Sequence, residues 1–156
     1  FLYKEPLSSM IRALKFKRRL ELVRPLAGLW LDAVAHRVEL PTCLIPVPMD
    51  KQSARKRGFN PAAQIARAFG RDLNITVIPS GISKVRRTQP QSMLNANMRR
   101  GNVHGVFEAS KALPYERVAI VDDVVTTTKT ARAVAGCLQT SGVVSVAIWA
   151  IARTPR

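Results

Sequence analysis

Two neighbouring aspartates, Asp122 and Asp123, stand just before a threonine-rich stretch of the chain. Five positions follow within the next seven residues: Thr126, Thr127, Thr128, Lys129 and Thr130. Paired carboxylates can accept hydrogen bonds from two adjacent sugar hydroxyls, and such charge-assisted bonds are stronger than neutral ones. Hydroxyls and backbone N–H groups at the start of a helix favour a phosphate. Together, these groups predict a site for ribose 5-phosphate.

The alternative interpretation of this stretch is a capped loop in which Asp and Thr satisfy the end of a helix. One capping residue would be enough for that purpose, whereas this stretch holds four threonines and two acids. A Walker-type nucleotide loop is excluded, because the segment lacks the Gly-x-x-x-x-Gly-Lys pattern.

The surrounding pattern predicts an α/β fold with a mainly parallel central sheet flanked by helices. Residues 118–121 form a continuous apolar run typical of a central parallel strand, and we expect a polar turn over 122–129. Residues 44–48 predict a second strand, followed by a basic loop over 49–58. A helix should begin at Asn60-Pro61 and end at Gly70. Strands and helices in alternation indicate one domain over residues 1–156, with N-terminal helices in residues 6–36 packing on its core.

Residues 83–102 are polar, rich in Arg, Gln and Asn, and poor in apolar anchors. We interpret them as a flexible lid loop over the site, and the alternative is a disordered insertion. His36 and His104 are isolated histidines with no partner pattern around them. Cys43 and Cys137 lack metal-ligand spacing, so we expect two buried free thiols and a cytoplasmic protein.

Lys and Arg number 25 against 10 acidic residues in a chain of 156, which gives a net charge of +15. This excess favours an anionic partner, such as a phosphate, a nucleic acid or an acidic protein surface, and the alternative is a solvated basic surface. No apolar run approaches the roughly 20 residues that a bilayer span needs, so we expect no membrane insertion.

Residues 118–130, Val-Ala-Ile-Val-Asp-Asp-Val-Val-Thr-Thr-Thr-Lys-Thr, resemble the phosphoribosyl pyrophosphate (PRPP) signature of type I phosphoribosyltransferases. Within that superfamily the chain resembles the ComF competence-protein family. Three further segments carry this narrower resemblance: Pro-Val-Pro at 46–48, Arg-Gly-Phe-Asn at 57–60 and Ala-Arg at 152–153. The lid region matches by spacing at Thr88, Gln91, Leu94, Arg99, Asn102, Val103 and Phe107.

The resemblance implies a type I phosphoribosyltransferase-like fold and a set of roles. Asp122 and Asp123 would hold the ribose hydroxyls, and residues 126–130 the 5-phosphate. The segment after the first strand would receive the pyrophosphate through Met49, Asp50, Lys51, Arg55 and Arg57. The lid would contact the pyrophosphate through Arg86, Arg87 and Arg99. Mg²⁺ would be bound through the pyrophosphate oxygens, with no direct protein ligand.

The chain departs from the family pattern at two positions of the site. Thr128 replaces a glycine, so either the loop follows a different path or phosphate binding is weakened; the positive charge of Lys129 could compensate. Pro61 stands where the family usually has Gln. Members commonly carry a Cys-rich zinc ribbon upstream, and the resemblance predicts such a module beyond this chain.

Two functions follow from the resemblance. The first is an enzyme that transfers ribose 5-phosphate from PRPP to an acceptor that the sequence does not identify, linked to DNA uptake and competence. The second is a non-catalytic module that binds a phosphoribosyl ligand and single-stranded DNA, or another nucleic acid, alongside competence proteins. A repressor on the same fold is disfavoured, because we find no helix-turn-helix segment.

Overall fold

The computed structural model describes residues 1–84, 106–110, 113–126 and 128–155. Its helices are α1 (Leu7–Lys17), α2 (Val23–Val34), α3 (Lys51–Arg57), α4 (Pro61–Leu73) and α5 (Thr128–Gln139). Its strands are β1 (Cys43–Pro46), β2 (Thr76–Val77), β3 (Ile82–Lys84), β4 (Phe107–Ala109), β5 (Arg117–Val125) and β6 (Ser145–Arg153). No helix among the described residues is long and apolar enough to span a bilayer.

Four of the strands form one parallel sheet in the order β2-β1-β5-β6. Strands β3 and β4 pair separately as an antiparallel two-stranded sheet. The predicted α/β architecture with a parallel central sheet flanked by helices is therefore confirmed. Because the strands are parallel, the carboxyl ends of β1 and β5 lie at the same edge, which is where ligands bind in open α/β sheets.

The alternation of side chains along β1 and β5 divides the core into two layers. Leu44, Ala119 and Val121 pack under helices α1, α2 and α4, where Trp30, Phe69 and Trp149 form an aromatic cluster. The Trp30 and Trp149 ring centroids lie 4.6 Å apart. Their opposite neighbours, including Ile45 and Ile120, pack under α5 and the β3–β4 pair. The N-terminal helix α1 is anchored in the first layer by Ile11 and Leu14, both fully buried.

Both cysteines are buried free thiols, as the sequence predicts. Burial raises the pKa of Cys43 to about 11, so its thiol stays protonated at neutral pH. The Cys137 thiol donates to the Phe107 carbonyl over 3.4 Å, which joins α5 to β4. Neither thiol has the low pKa that a reactive cysteine needs.

Three predicted segments differ from the structure in their bounds or in their type. The polar turn expected over 122–129 does not begin at residue 122, because β5 continues to Val125 and pairs with β6 as far as Arg153. At its end, Thr128 already begins α5. The basic loop expected over 49–58 contains helix α3, capped by Asp50, whose carboxylate accepts from Ser53 N over 2.8 Å. Helix α4 runs past Gly70 to Leu73, and Asn74 ends it in the left-handed region (φ 54°).

Gly70 permits a close approach between α4 and the segment that enters β2. A Cβ at this position would overlap Cγ2 of Val77 and lie 2.7 Å from the Ile75 carbonyl oxygen. The glycine therefore serves helix–strand packing and not helix termination. This close contact explains how a residue with low helix propensity lies inside α4.

We expect Gly70→Ala to destabilise the chain by about 1–3 kcal/mol, because the added methyl overpacks a rigid contact with backbone. The matched control is Gly28→Ala in α2, where a Cβ meets nothing within 4 Å. That change should instead stabilise by about 0.5–1 kcal/mol through helix propensity. Chemical denaturation of both variants measures the two effects, and equal shifts in the same direction would contradict this account of Gly70.

Candidate functional site

Asp122 and Asp123 lie in the carboxyl-terminal half of β5, and both line a cavity of about 150 Å³. The side-chain carboxylate of each accepts a hydrogen bond from the next backbone N–H. These bonds are 2.8 Å for Asp122 and 2.7 Å for Asp123. Asp123 is 6% exposed and Asp122 is half-buried. The strand thus holds two carboxylates, with fixed orientations, at the wall of one cavity.

Lys15 reaches this acid pair from the last turn of α1. Its Nζ lies 2.9 Å from Oδ2 of Asp123, and its side chain is 22% exposed. An ion pair with this degree of burial is screened less by water than a surface pair. The N-terminal helix therefore supplies a cation directly to the predicted ribose site, a role that the sequence analysis did not assign to Lys15.

The pKa of Asp122 is raised from its ordinary value of 3.8 to about 7. Burial is the largest cause, because it penalises the charged carboxylate, and the negative charge of Asp123 adds to the effect. Lys15 acts in the opposite direction without cancelling them. The Asp122 carboxyl therefore titrates near neutral pH, well above the range of an ordinary aspartate.

The predicted pyrophosphate segment is only partly brought to the acids. Met49 and Arg57 line the acid-pair cavity, and the Arg57 guanidinium donates to the Met49 sulfur over 3.3 Å. Asp50, Lys51 and Arg55 do not line it. Asp50 caps α3, and the hydrogen bonds from Ser53 lower the pKa of its carboxyl. Lys51 and Arg55 lie on the exposed surface of the same helix.

Two of the five predicted phosphate residues lie at a neighbouring cavity of about 290 Å³, and Thr126 does not line it. Lys129 and Thr130, in the first turn of α5, line it together with Lys84. Pro48 lines both this cavity and the one at the acid pair, so the two are neighbours across a single residue. Thr126 is exposed, and its carbonyl accepts from the Thr154 hydroxyl over 3.0 Å.

Several predicted site residues fall outside the described part of the chain. These are Thr127 and the lid residues Arg86, Arg87 and Arg99; of Thr128 the structure describes the backbone alone. Thr128 is the first residue of α5, and the described non-glycine residues with positive φ are Arg18 and Asn74. Sequence analysis raised two explanations for Thr128, a different loop path or weakened phosphate binding. The helical backbone agrees with a path that does not require glycine.

Asn60 is a further residue at the site, to which the sequence analysis assigned no site role. Its Oδ1 accepts from Ala62 N over 3.0 Å, and its Nδ2 donates to the Val47 carbonyl over 2.9 Å. The side chain thereby ties α4 to the segment after β1 and fixes one wall of the acid-pair cavity. An Asn followed by Pro in the sequence signals the cap, but not this second bond.

No cluster of three or more metal-ligating side chains occurs in residues 1–84, 106–110, 113–126 and 128–155. Two carboxylates, one of them already bound to Lys15, do not make a complete cation cage. A Mg²⁺ ion at this site would need further oxygen ligands from a bound anion and from water, as is usual for magnesium. The residues present fit a metal that arrives with a phosphorylated ligand.

Comparison with solved structures identifies the architecture as the type I phosphoribosyltransferase fold. The allosteric regulatory enzyme of purine biosynthesis superposes with a TM-score of 0.54 at 19% identity, over 83% of this chain and 26% of that one. Glutamine phosphoribosylpyrophosphate amidotransferase from B. subtilis, complexed with ADP and GMP, gives a TM-score of 0.53 with the same identity and coverage. The chain spans about a quarter of these enzymes, and at this identity the likeness concerns the fold alone.

The chain belongs to the family of competence protein F and DNA utilization protein YhgH. It is 35% identical to competence protein F of Haemophilus influenzae, covering 97% of this chain and 69% of that protein. It is 34% identical to DNA utilization protein YhgH of Escherichia coli O157:H7, with the same coverage. The protein of that name from Salmonella typhimurium strain LT2 is 33% identical. No family model matches the chain.

The raised pKa of Asp122 predicts a pH-dependent stability cost. Between about pH 4 and pH 7 the folded state binds this proton more tightly than the unfolded state, so the free energy of unfolding falls as pH rises. We expect Asp122→Asn to abolish this decrease in the free energy of unfolding. At pH 8 the variant should melt at least about 2 °C above wild type, which corresponds to roughly 1 kcal/mol for a chain of this size.

The advantage of Asp122→Asn should shrink as the pH is lowered toward 4, where both states of the wild type become protonated. Thermal melts of both proteins across this pH range measure the effect. The difference between the two melting temperatures at each pH removes the contribution of the other titrating groups. A variant that melts at or below the wild-type temperature at pH 8 would show that the ionised Asp122 is not destabilising.

Proposed function

We propose that the chain binds PRPP and transfers its ribose 5-phosphate to an acceptor. The observation that carries this proposal is the pair of fixed carboxylates on β5 lining one cavity with the cations of Lys15 and Arg57. Carboxylates suit vicinal hydroxyls, and cations suit phosphate groups. A phosphorylated sugar is the ligand that presents both.

The 5-phosphate end of the ligand would extend across Pro48 to the start of α5. Lys129 and Thr130 line that cavity and Lys84 faces it from β3, so two cations and a hydroxyl border it. The first turn of α5 leaves backbone N–H groups without helical partners, which favours an anion there. Thr126, Thr127 and Thr128 complete this phosphate site in the proposal.

The pyrophosphate would bind at the opposite side of the acid pair. Arg57 is the cation best placed for it, because it is the basic residue of the predicted segment that lines the acid-pair cavity. Met49 would contribute its backbone, and Arg86, Arg87 and Arg99 would approach from the lid. Mg²⁺ would neutralise the pyrophosphate oxygens when bound, held by them and by water and not by a protein cage.

The residues at the site act mainly by positioning and electrostatics. Asp122 and Asp123 would orient the ribose through its hydroxyls. Lys15 would hold Asp123 in place through the ion pair between them. The transition state of such a transfer is oxocarbenium-like by analogy with glycosyl transfer generally, so nearby carboxylates also favour its developing positive charge.

The relatives named for competence and DNA utilization support a role in DNA uptake for the proposed activity. These residues do not identify the acceptor, because the acids, the phosphate cavity and the basic residues would all contact the PRPP donor. The second candidate is binding without turnover, in which the chain senses a phosphoribosyl ligand while acting on DNA. The raised pKa of Asp122 favours the enzyme, because a carboxylate with a pKa near neutrality can exchange a proton with a nucleophile.

Calorimetry with PRPP and Mg²⁺ tests the acid pair. We expect Asp122→Asn and Asp123→Asn each to weaken binding about 10- to 100-fold, because each removes a charge-assisted hydrogen bond to a sugar hydroxyl. The matched control is Asp72→Asn, a carboxylate on α4 that is exposed and ion-paired with Arg71 outside the cavity. It should change the affinity less than twofold.

Pyrophosphate release in the presence of candidate acceptors then separates the two functions. Pyrophosphate release that depends on both aspartates supports transfer. Tight PRPP binding with no pyrophosphate release in the presence of any acceptor supports the sensing module. Unchanged affinity in both aspartate variants would refute the proposed ligand site altogether.

Thr128 provides a separate test of the phosphate end. Because this residue lies in a helical first turn, we expect Thr128→Gly to leave PRPP affinity unchanged or to weaken it, with no gain from added backbone freedom. The same calorimetric titration measures the change. Stronger PRPP binding by the glycine variant would show that Thr128 weakens the phosphate site.

A further inference from the structure

Arg57 is held at the acid-pair cavity by contacts that leave its charge unneutralised. Its guanidinium donates to the Met49 sulfur over 3.3 Å, and the guanidinium carbon lies 5.5 Å from the centroid of the Phe16 ring. Among the described residues, no carboxylate lies within ion-pair distance of Arg57. A thioether and an aromatic ring are both uncharged, so the positive charge of Arg57 stays available to an anionic ligand.

Phe16 lies at the end of α1, where hydrophobic burial does not explain its position. The chain has five phenylalanines, and Phe16 is the most exposed of them, at 72%. A ring that stays in water gains little free energy from the hydrophobic effect. The contact that involves the ring is with the Arg57 guanidinium, which an aromatic face attracts through its quadrupole. The exposed ring is therefore explained by the cation that it contacts.

A second contact between α1 and α3 fixes the backbone on both sides of this pair. Arg18 donates from Nη2 to the carbonyl of Lys56, the residue before Arg57, over 3.1 Å. Arg18 ends α1 with a left-handed backbone (φ 54°), a conformation that costs free energy in any residue with a side chain. Its hydrogen bond to α3 offsets part of this cost. The end of α1 and the end of α3 are thus joined twice, through Phe16 and through Arg18.

We propose that Phe16 is a positioning residue, whose ring holds the Arg57 guanidinium in the orientation that binds the pyrophosphate of PRPP. Phe16 does not line the acid-pair cavity, whereas Arg57 does, so the ring acts through Arg57 and does not touch the ligand. This role rests on the proposed function, because it requires an anion at Arg57. A guanidinium that is ordered before the ligand arrives loses less conformational entropy on binding, and the ligand binds more tightly for that reason.

Calorimetry with PRPP and Mg²⁺ on two Phe16 variants separates this role from ordinary packing. We expect Phe16→Leu to weaken PRPP binding about three- to tenfold, because leucine is apolar but has no aromatic face. Phe16→Tyr keeps the face and should bind PRPP within twofold of wild type. The matched control is Phe1→Leu, since Phe1 is 50% exposed and lines neither of the two proposed ligand cavities. It should also bind within twofold of wild type.

A double-mutant cycle shows whether the ring acts through Arg57. Arg57→Gln should weaken PRPP binding at least about tenfold, because a charge-assisted hydrogen bond to phosphate is lost. In that background Phe16→Leu should change the affinity less than twofold, since the ring has no guanidinium left to hold. A ring that touched the ligand directly would keep its full effect in the Arg57→Gln background, and this result would overturn the proposal. Thermal melts verify that each variant is folded.

NMR of the ligand-free protein provides a measurement that does not depend on PRPP. The Arg57 guanidinium lies over the Phe16 ring, so the ring current should shift the resonances of the nearby Arg57 protons upfield. We expect this shift in the wild type and in Phe16→Tyr, and its loss in Phe16→Leu. The same Arg57 resonances in wild type and Phe16→Leu would show that the ring does not hold the guanidinium, and would overturn the proposal.

The calorimetric results keep this role apart from the proposed function. PRPP binding by the wild type with equal affinity in Phe16→Leu would overturn the role of Phe16 and leave the proposed function intact. Equal losses of affinity in Phe16→Leu and Phe16→Tyr would do the same, because the aromatic face would then be irrelevant. A wild-type protein that binds no PRPP would refute the proposed function, and the role of Phe16 with it.

Discussion

Two carboxylates on consecutive residues of a central strand repel each other, and burial makes that repulsion expensive. The fold limits this electrostatic cost in two ways at the end of β5. Lys15 forms an ion pair with Asp123, and Asp122 retains a proton up to a pH of about 7. A site that only needed to be stable would place apolar side chains here, so the retained acids indicate that function outweighs stability at this position.

This constraint gives the N-terminal helix a part in the site. Ile11 and Leu14 bury one face of α1 in the core, and that anchoring directs Lys15 toward the acid pair. The next turn of the chain places Phe16 and Arg18 beside α3. The end of one short helix thus supplies a cation to the acid pair and contacts α3 through the hydrogen bond from Arg18 to the Lys56 carbonyl.

Helix α3 shows how function-bearing residues can obscure a local structural signal. Its sequence is mostly charged and polar, and it lacks the apolar periodicity by which helices are usually found. The residues that do signal this helix lie at its two ends. Asp50 is its N-cap, and Gly58, with φ 81°, follows its last residue. The helical form matters for function, because it directs Arg57 toward the acids while Arg55 points to solvent.

The sequence by itself determined the parallel α/β architecture, the central strand, the helix that follows it and the presence of an acid pair near the carboxyl end of that strand. Each of these is encoded locally, by the spacing of apolar residues and by capping residues within a few positions. Only the tertiary structure decided that β5 continues through both acids, because that depends on pairing with β6. It also decided which basic residues reach the site: Lys15 and Asp123 meet from more than a hundred positions apart, and no local pattern records a contact made by the packing of distant helices on a shared sheet.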